Sequence, residues 1–323
     1  MIFPPPDEPI FIHRYQLQAA GPLNVRSRRS SLGGVLIRAG GGFGCIQPWP
    51  ELGDPTLEKC LADLAGPRRW PIVRRALRCA EYDAAGRKFE HSLFEEMEVP
   101  RSHATLVRKN PGVLAAAVDA GFGVVKIKTG ADLAADAEFL TQSAAGFPEL
   151  RWRLDFNETL DPETVITWTA GLPAEVRTKI DFLEDPSPYA NEIWVRIRNE
   201  TRLSLAVDRE AAPDRTGANV MVVKPAIDEP FFLAEAAIAC AQRVVVTSSM
   251  DHPLGQAFAA WEAARLSLQF PGLVGVCGLQ THHLFEPSPF SECLGRWQPE
   301  FTPAPGNGLG FDDLLEQLSW TAL

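Results

Sequence analysis

No stretch of the chain approaches the roughly 18 uninterrupted apolar residues that a membrane-spanning helix needs, and the opening MIFPPPDEPIFIHR interrupts any signal-peptide core with proline and acid. No membrane partner is expected, and the cytoplasm is the expected location. Positive charge is also in short supply. The 31 Lys and Arg against 41 Asp and Glu leave a net charge of −10, and no basic stripe interleaved with aromatics offers itself to phosphates, so nucleic acid is not an expected partner. The six cysteines (Cys45, Cys60, Cys79, Cys240, Cys277 and Cys293) include no CxxC pair, and the six histidines do not stand at finger-like spacing from them. Neither a disulfide scaffold nor a structural zinc site is expected, and the cysteines read as reduced thiols.

What remains is an ordinary globular composition, 46% hydrophobic and 22% charged over 323 residues, enough for about two domains at roughly 150 residues each. Residues 1–100 read as an α+β unit. A strand-like PIFIHRYQL precedes the Gly-punctuated pair SLGGVLIRAG and GFGCIQPW, which has the pattern of a hairpin. Helical spacing follows in TLEKCLADLA and WPIVRRALRCAEYDAAG, with Asp54-Pro55-Thr56 as the first helix start.

In residues 101–323 the pattern changes to short apolar runs alternating with amphipathic helices, the arrangement of βα units around a parallel sheet. The runs are HATLVR, GVVKIKTG, RWRLDFN, KIDFLEDP, LSLAVDRE, VMVVKPA, RVVVTSS and, less sharply, GVCGLQT. Eight strands with repeated crossovers point to an α/β fold, a (β/α) barrel; a doubly wound open sheet shares the pattern, but no GxGxxG follows the first strand.

Ionisable residues close five of these strands: Lys126 and Lys128, then Asp155, Glu184, Asp208 and Lys224. Each carboxylate alone reads more readily as a solvated loop acid or salt-bridge partner, and the KxK pair alone as a solvated edge, whereas Lys224, between an apolar run and Pro225, is easier to explain as chemistry than as packing. From 126 to 155, to 184, to 208 the steps are 29, 29 and 24 residues, about one βα unit each, and the step to 224 is a short 16. In a barrel the C-terminal strand ends converge on one mouth, so these charges would meet in space. Three carboxylates with no neighbouring histidine are hard oxygen ligands suited to Mg²⁺, with Mn²⁺ able to substitute. Lys126 and Lys128, two apart on one strand, share a face.

The series KIK (Lys126, Lys128), LDFN (Asp155, Asn157), LEDP (Glu184, Asp185), VDRE (Asp208) and VVKP (Lys224) resembles the enolase superfamily, in its muconate-cycloisomerase-like branch with lysines on the second and sixth barrel strands. Within that branch GCIQPWPELGD, TSSMDHPLG and CGLQT are similar to pieces of the o-succinylbenzoate synthase family. The resemblance covers most of the chain and implies an enolase-like, modified TIM-type barrel under an N-terminal α+β capping domain. Three departures stand out: Arg209 follows Asp208 where an acid is frequent, Asp251-His252-Pro253 replaces a Glu-Ser type segment, and Gln280 stands where an acid is common. Asp251-His252 reads as a loop or helix start.

By this resemblance Asp155, Glu184 and Asp208 hold the cation. Lys128 removes a proton beside the carboxylate of a small-molecule substrate and then protonates the departing hydroxide, and Lys224 stabilises the intermediate from the other side. Lys126 contacts the substrate carboxylate and helps lower the pKa of Lys128. Such sites, a Lys or His base beside Mg²⁺, are a known general pattern. Asn157 and Asp185 are expected to orient the ligand carboxylates, and Arg153, in phase with Asp155, to pair with them or with substrate. Ser248 and Ser249 are expected at the substrate or, alternatively, as a helix N-cap. Arg26, on a loop from about Leu17 to Ser31 that closes over the mouth, either faces the ligand or is a plain surface charge. Two lysines so placed also suit N-acylamino acid racemisation or dipeptide epimerisation, though GLQTHHLF lacks the acidic segment frequent after the eighth strand of those enzymes. A non-catalytic barrel used as a binding module would tolerate losing one of the six charges, and all six are present.

Overall fold

Residue 4, residues 8–21, residue 23 and residues 29–323 are described by the structure, a computed structural model. Strand β1 (Phe11–Gln18) pairs antiparallel with β2 (Ser31–Ala39), from Phe11 opposite Arg38 to Gln18 opposite Ser31. The chain then reverses at Gly40 and Gly41, whose positive φ values of 57° and 80° suit a tight hairpin, into β3 (Gly42–Ile46). Helix α1 (Leu57–Ala65) starts at Thr56, whose hydroxyl accepts the backbone N–H of Lys59. Helix α2 (Pro71–Lys88) opens on a proline that needs no N–H partner there.

Helix α2 lies on β3 almost backbone to backbone. A Cβ added at Gly42 would stand 2.1 Å from Ala80 O, and one at Gly44 2.2 Å from Ala76 O. Gly42→Ala is therefore expected to push the helix off the sheet and to cost about 1–3 kcal/mol, read as a lower thermal midpoint. The core between these elements is aliphatic, with Val35, Ile37, Ile46, Leu61, Ile72 and Val73 buried together.

The second layer system is a parallel sheet wrapped by helices: β4 (Ala104–Leu106), α3 (Pro111–Asp119), β5 (Val124–Lys128), α4 (Leu133–Gly146), β6 (Arg151–Asp155), α5 (Pro162–Gly171), α6 (Ala174–Arg177), β7 (Ile180–Glu184), α7 (Asn191–Thr201), β8 (Leu205–Val207), β9 (Val220–Val223), α8 (Pro230–Ala239), β10 (Arg243–Val246) and α9 (Pro253–Gln269). The seven strands run in spatial order β10-β9-β8-β7-β6-β5-β4. No helix stands between β8 and β9, in keeping with the short step from 208 to 224.

The expected eighth strand, GVCGLQT, is reduced to isolated parallel bridges. Cys277 pairs with Ser102 beside β4, while Val274 and Gly278 pair with Val244 and Thr247 on the β10 side. Those bridges join the two edges of the sheet, which excludes the open doubly wound arrangement. The barrel interior below its mouth is filled by Phe182, Ala206, Val220, Val222 and Val245. The result is a curled parallel sheet beneath an N-terminal antiparallel sheet.

The last residues leave the barrel and return to the first layer. Thr321–Ala322 extends the sheet along β1, and the carboxylate of buried Asp83 on α2 accepts the backbone N–H groups of Leu309 (2.7 Å) and Phe43 (2.9 Å). Among the described residues no helix is long and apolar enough to cross a membrane.

Candidate active site

Side chains along a strand alternate between faces, so the residues two positions apart at the strand ends form a stacked pair of inward layers. On β6 Arg153 and Asp155 point inward, on β7 Phe182 and Glu184, and on β8 and β9 Ala206 and Val222 lie two positions before Asp208 and Lys224. The lower layer is mostly apolar and the upper one charged. In that upper layer Lys126 Nζ donates to Asp155 Oδ2 (2.9 Å) and to Glu184, and Lys128 Nζ donates to the same Asp155 oxygen at 2.5 Å. Lys224 Nζ donates to Asp208 Oδ2 at 2.7 Å. All three lysines and all three carboxylates singled out in the sequence are thus brought to one barrel mouth.

Burial opposes the charged form of every one of these groups, and the partners decide which form survives. At Asp155 burial pushes the pKa up, but Lys126 and Lys128 outweigh it and hold the carboxyl well below its usual range. Glu184 is pushed the other way, up to about 7, by burial and by Asp155, which Lys126 only partly offsets. Lys126 is held above the ordinary lysine value because Asp155, Glu184 and Asp208 overcome its desolvation, and Asp208 does the same for Lys224. Both ammonium groups are thus favoured in their charged form, since each faces carboxylates more closely than it faces another ammonium.

The backbone turns sharply just past these strand ends. Asn157 and Asp185 adopt positive φ (50° and 42°), a conformation that short polar residues tolerate better than most. The turns place their side chains on the carboxylate cluster. Asn157 Nδ2 donates to Asp155 Oδ1 at 2.7 Å, fixing that carboxylate's plane. Asp185 accepts the backbone N–H groups of Asp208 (3.0 Å) and Arg209 (3.1 Å), so it anchors the loop that carries Asp208.

Above the cluster lies a cavity of about 180 Å³ lined from the barrel by Lys126, Lys128, Asn157, Asp208, Lys224 and Ser248, and from the N-terminal layer by Gln47, Trp49, Asp54 and Ile72. Asp155 and Glu184 do not line it and meet it through their lysines. None of these N-terminal residues was singled out as a site residue in the sequence, where Asp54 was read only as part of a helix start; the nearest signal was the Pro-punctuated GCIQPWPELGD, which holds Gln, Trp and Asp together in an otherwise apolar neighbourhood. Gln47 donates to Met250 O (2.8 Å) and Trp49 Nε1 to Ser249 O (2.9 Å), clasping the loop after β10 to the upper layer.

Several expectations need correction. Arg153 neither pairs with the ligand carboxylates or the residues that orient them nor lines the cavity. It sits one pleat below them, donating to Asp181 (2.9 Å) and Val276 O (2.8 Å), with its Nη1 2.8 Å from His103 Nδ1. The pairing register jumps between Trp152 opposite Ile180 and Arg153 opposite Phe182, so Asp181 is an extra, bulged residue re-aimed at Arg153. Ser248 and Ser249 do line the cavity, but neither caps the next helix: the N-cap of α9 is His252, whose Nδ1 accepts the backbone N–H of Leu254. Arg26, with residues 22, 24, 25, 27 and 28 of the loop around it, lies outside the described residues. Of the departures, Arg209 forms an ion pair with Glu158 (3.0 Å) at the mouth, and Gln280 is turned away to donate to Glu300 O (2.9 Å).

Asp251 is buried against the first layer, and burial pushes its carboxyl up to about 7 against the opposition of the backbone N–H groups of Asp251 and Ser249. An ordinary aspartate titrates near 3.9, so the native state takes up a proton that the unfolded chain releases. Its own contribution to stability should accordingly be full below about pH 4 and decline as pH rises through 7. Asp251→Asn should remove that decline, with a stability gain over the wild type on the order of a few kcal/mol near pH 8, measured by urea unfolding at several pH values.

As the side chains stand, no three His, Cys, Asp or Glu groups among the described residues close around one point, because the lysines hold the carboxylates. The donor chemistry nonetheless fits a hard divalent cation. All three candidates are oxygen donors, and Asp208 Oδ1 is buried with no hydrogen-bond partner.

Two family models match the chain, "O-succinylbenzoate synthase, N-terminal domain" over residues 10–86 and "Enolase C-terminal domain-like" over residues 112–228. A curated o-succinylbenzoate synthase of Bdellovibrio bacteriovorus is 32% identical over 325 residues, spanning 96% of this chain and 97% of that protein. Another, of Yersinia enterocolitica, is 26% identical over 322 residues, covering 90% and 94%. Among solved structures, N-succinyl Arg/Lys racemase from Bacillus cereus superimposes with a TM-score of 0.79 at 16% identity over 97% of this chain and 98% of that one, a likeness of fold.

Proposed function

The chain belongs to the o-succinylbenzoate synthase family of the enolase superfamily, and from that premise we propose that it dehydrates 2-succinyl-6-hydroxy-2,4-cyclohexadiene-1-carboxylate to 2-succinylbenzoate. That makes it a carbon-oxygen lyase acting in menaquinone biosynthesis, in the cytoplasm. The observation that carries the reading is the convergence on one cavity, beneath the N-terminal layer, of Lys126, Lys128 and Lys224, each paired with a carboxylate of the cluster.

Members of this superfamily generally use a divalent metal. Here Asp155, Glu184 and Asp208 would hold Mg²⁺, which supplies positive charge to the substrate carboxylate as its α proton leaves. Lys126, a fixed ammonium between two carboxylates, adds positive charge on the same side. Lys128 takes the α proton at Nζ, the electron pair passes into the carboxylate as a dianion, and the ring then expels hydroxide. Lys128 returns its proton to that hydroxide, so water leaves and the ring becomes aromatic. Lys224, separated from β5 by the three strands β6, β7 and β8, stabilises the anion from the other side. Asn157 and Asp185 keep the carboxylates in place, and the Gln47 and Trp49 clasp excludes water from the cavity roof.

Incubating the purified chain with the cyclohexadiene substrate and Mg²⁺, and following 2-succinylbenzoate by NMR, tests the reading directly. Aromatic product at enzymatic rates is the expected result, and its absence in a folded, metal-loaded preparation would overturn it. A second reading, racemisation of N-acylamino acids, is favoured by one feature: Lys128 and Lys224 each stand at their own carboxylate on separate sides of the mouth.

A further inference from the structure

The turn that carries Lys224 is gripped from the N-terminal layer. Arg75, on α2 and only 3% exposed, donates from Nε to Pro225 O (2.9 Å), from Nη1 to Glu229 (3.0 Å) and from Nη2 to Glu262 (2.5 Å). Its guanidinium also lies 5.3 Å from the ring centre of Phe258. Glu262, 1% exposed on α9, uses its other oxygen for Arg265 (3.0 Å), so the far side of the clamp is itself fixed. Within the turn, the N–H of Lys224 donates to Asp228 Oδ2 (2.7 Å), and the N–H groups of Ile227 and Asp228 return to Lys224 O (2.9 and 2.8 Å). Ile227 packs into the aliphatic core of the N-terminal layer.

Burying a guanidinium carries a desolvation cost that apolar packing of the same volume avoids, so an anchor that only joins two layers has no need of one. What the planar fork adds is direction: it fixes several acceptors at once in one geometry, and one of them is the carbonyl of the residue directly after Lys224. From this geometry we propose that Arg75 is a positioning residue, which holds the peptide following Lys224 and so makes the placement of the Lys224 ammonium depend on docking of the N-terminal layer. The proposal rests on the reading of Lys224 as a functional group, and not on which substrate it serves.

The test uses the full-length chain with lysine labelled at the ε carbon. The Lys224 signal is assigned by its loss in Lys224→Arg and compared among wild type, Arg75→Lys and Arg75→Met, with the exposed Arg78→Ala on the same helix as a control. The Lys224 signal should move or broaden in both Arg75 variants while other lysine signals stay, and Arg78→Ala should leave it unchanged. With substrate, kcat should fall about 10- to 100-fold in Arg75→Met and less in Arg75→Lys, with KM within about threefold, as expected for a displaced rather than a missing group. An unmoved Lys224 signal with unchanged kcat in a folded variant, whatever its loss of thermal stability, would overturn the proposal. If Arg75→Met does not fold, Arg75→Lys, which keeps the buried charge but loses the fork, decides the matter alone. A wild-type chain that makes no 2-succinylbenzoate would refute the proposed activity and leave the signal comparison to judge Arg75.

Discussion

Asp208→Asn should lower the dehydration rate by roughly 10³-fold or more while the chain stays folded, because it removes a donor from the charge-stabilising cluster and takes the carboxylate partner from Lys224. Asp208 is the least buried of the three carboxylates. It pairs only with Lys224 among the three lysines, and its side chain is 15% exposed. Asp155 and Glu184, by contrast, share Lys126 in the interior, and removing either leaves a buried ammonium short of a partner, which costs about 3–5 kcal/mol on general grounds. Asp155→Asn and Glu184→Gln should therefore lose activity and stability together. Chelation should abolish turnover in the wild type, with Mg²⁺ or Mn²⁺ restoring it. Calorimetry should detect one Mg²⁺ site in the wild type and at least a tenfold weaker one in Asp208→Asn. Full turnover in a verified metal-free preparation would sink the metal assignment.

Lys128→Ala should abolish both turnover and solvent exchange of the substrate α proton, a loss of about 10⁴-fold or more, since one amine acts as both base and acid in the dehydration. Asp155 retains Lys126 when Lys128 is gone, so the variant is expected to fold. Lys224→Ala should lower turnover through lost charge stabilisation without creating an exchange activity of opposite stereochemistry. Racemisation asks for something else. There each single lysine variant loses proton transfer on one face and keeps some exchange on the other, which NMR in D₂O resolves with each enantiomer of an N-acylamino acid. Face-selective exchange with no dehydration of the cyclohexadiene substrate would replace the proposed activity with the racemase reading and leave the fold untouched.

Much of this was legible in the sequence because it depends on local pattern and chain order. Alternating apolar runs and amphipathic helices specified the βα units. The even spacing of Lys126, Asp155, Glu184 and Asp208 followed from the repeat length of those units, and a barrel can only bring such strand ends to one side. The hairpin was equally plain, since Gly40 and Gly41 supply the backbone that a tight reversal requires. The weak eighth run was correctly faint, because GVCGLQT closes the barrel with single bridges rather than a continuous ladder.

Tertiary contacts decided the rest, because they depend on partners far away in the chain. Strict alternation places Arg153 beside Asp155 and Asp181 on the outer face; one extra residue in the register of β7 turns Asp181 inward and ties Arg153 to the lower layer instead. The charge state of the lysines is also a matter of neighbours. Desolvation alone lowers an amine pKa, and only the observed closeness of the carboxylates reverses that at Lys126 and Lys224. The clasp of Gln47 and Trp49 on residues 249 and 250, and the grip of Arg75 on Pro225, span 150 to 203 positions of sequence, and no periodicity records a contact between two separately folded layers. The sequence by itself determined which chemistry the strand ends carry and that they meet, since strand period and crossover length are local; how that chemistry is roofed, aimed and charged was decided by packing between the two layers.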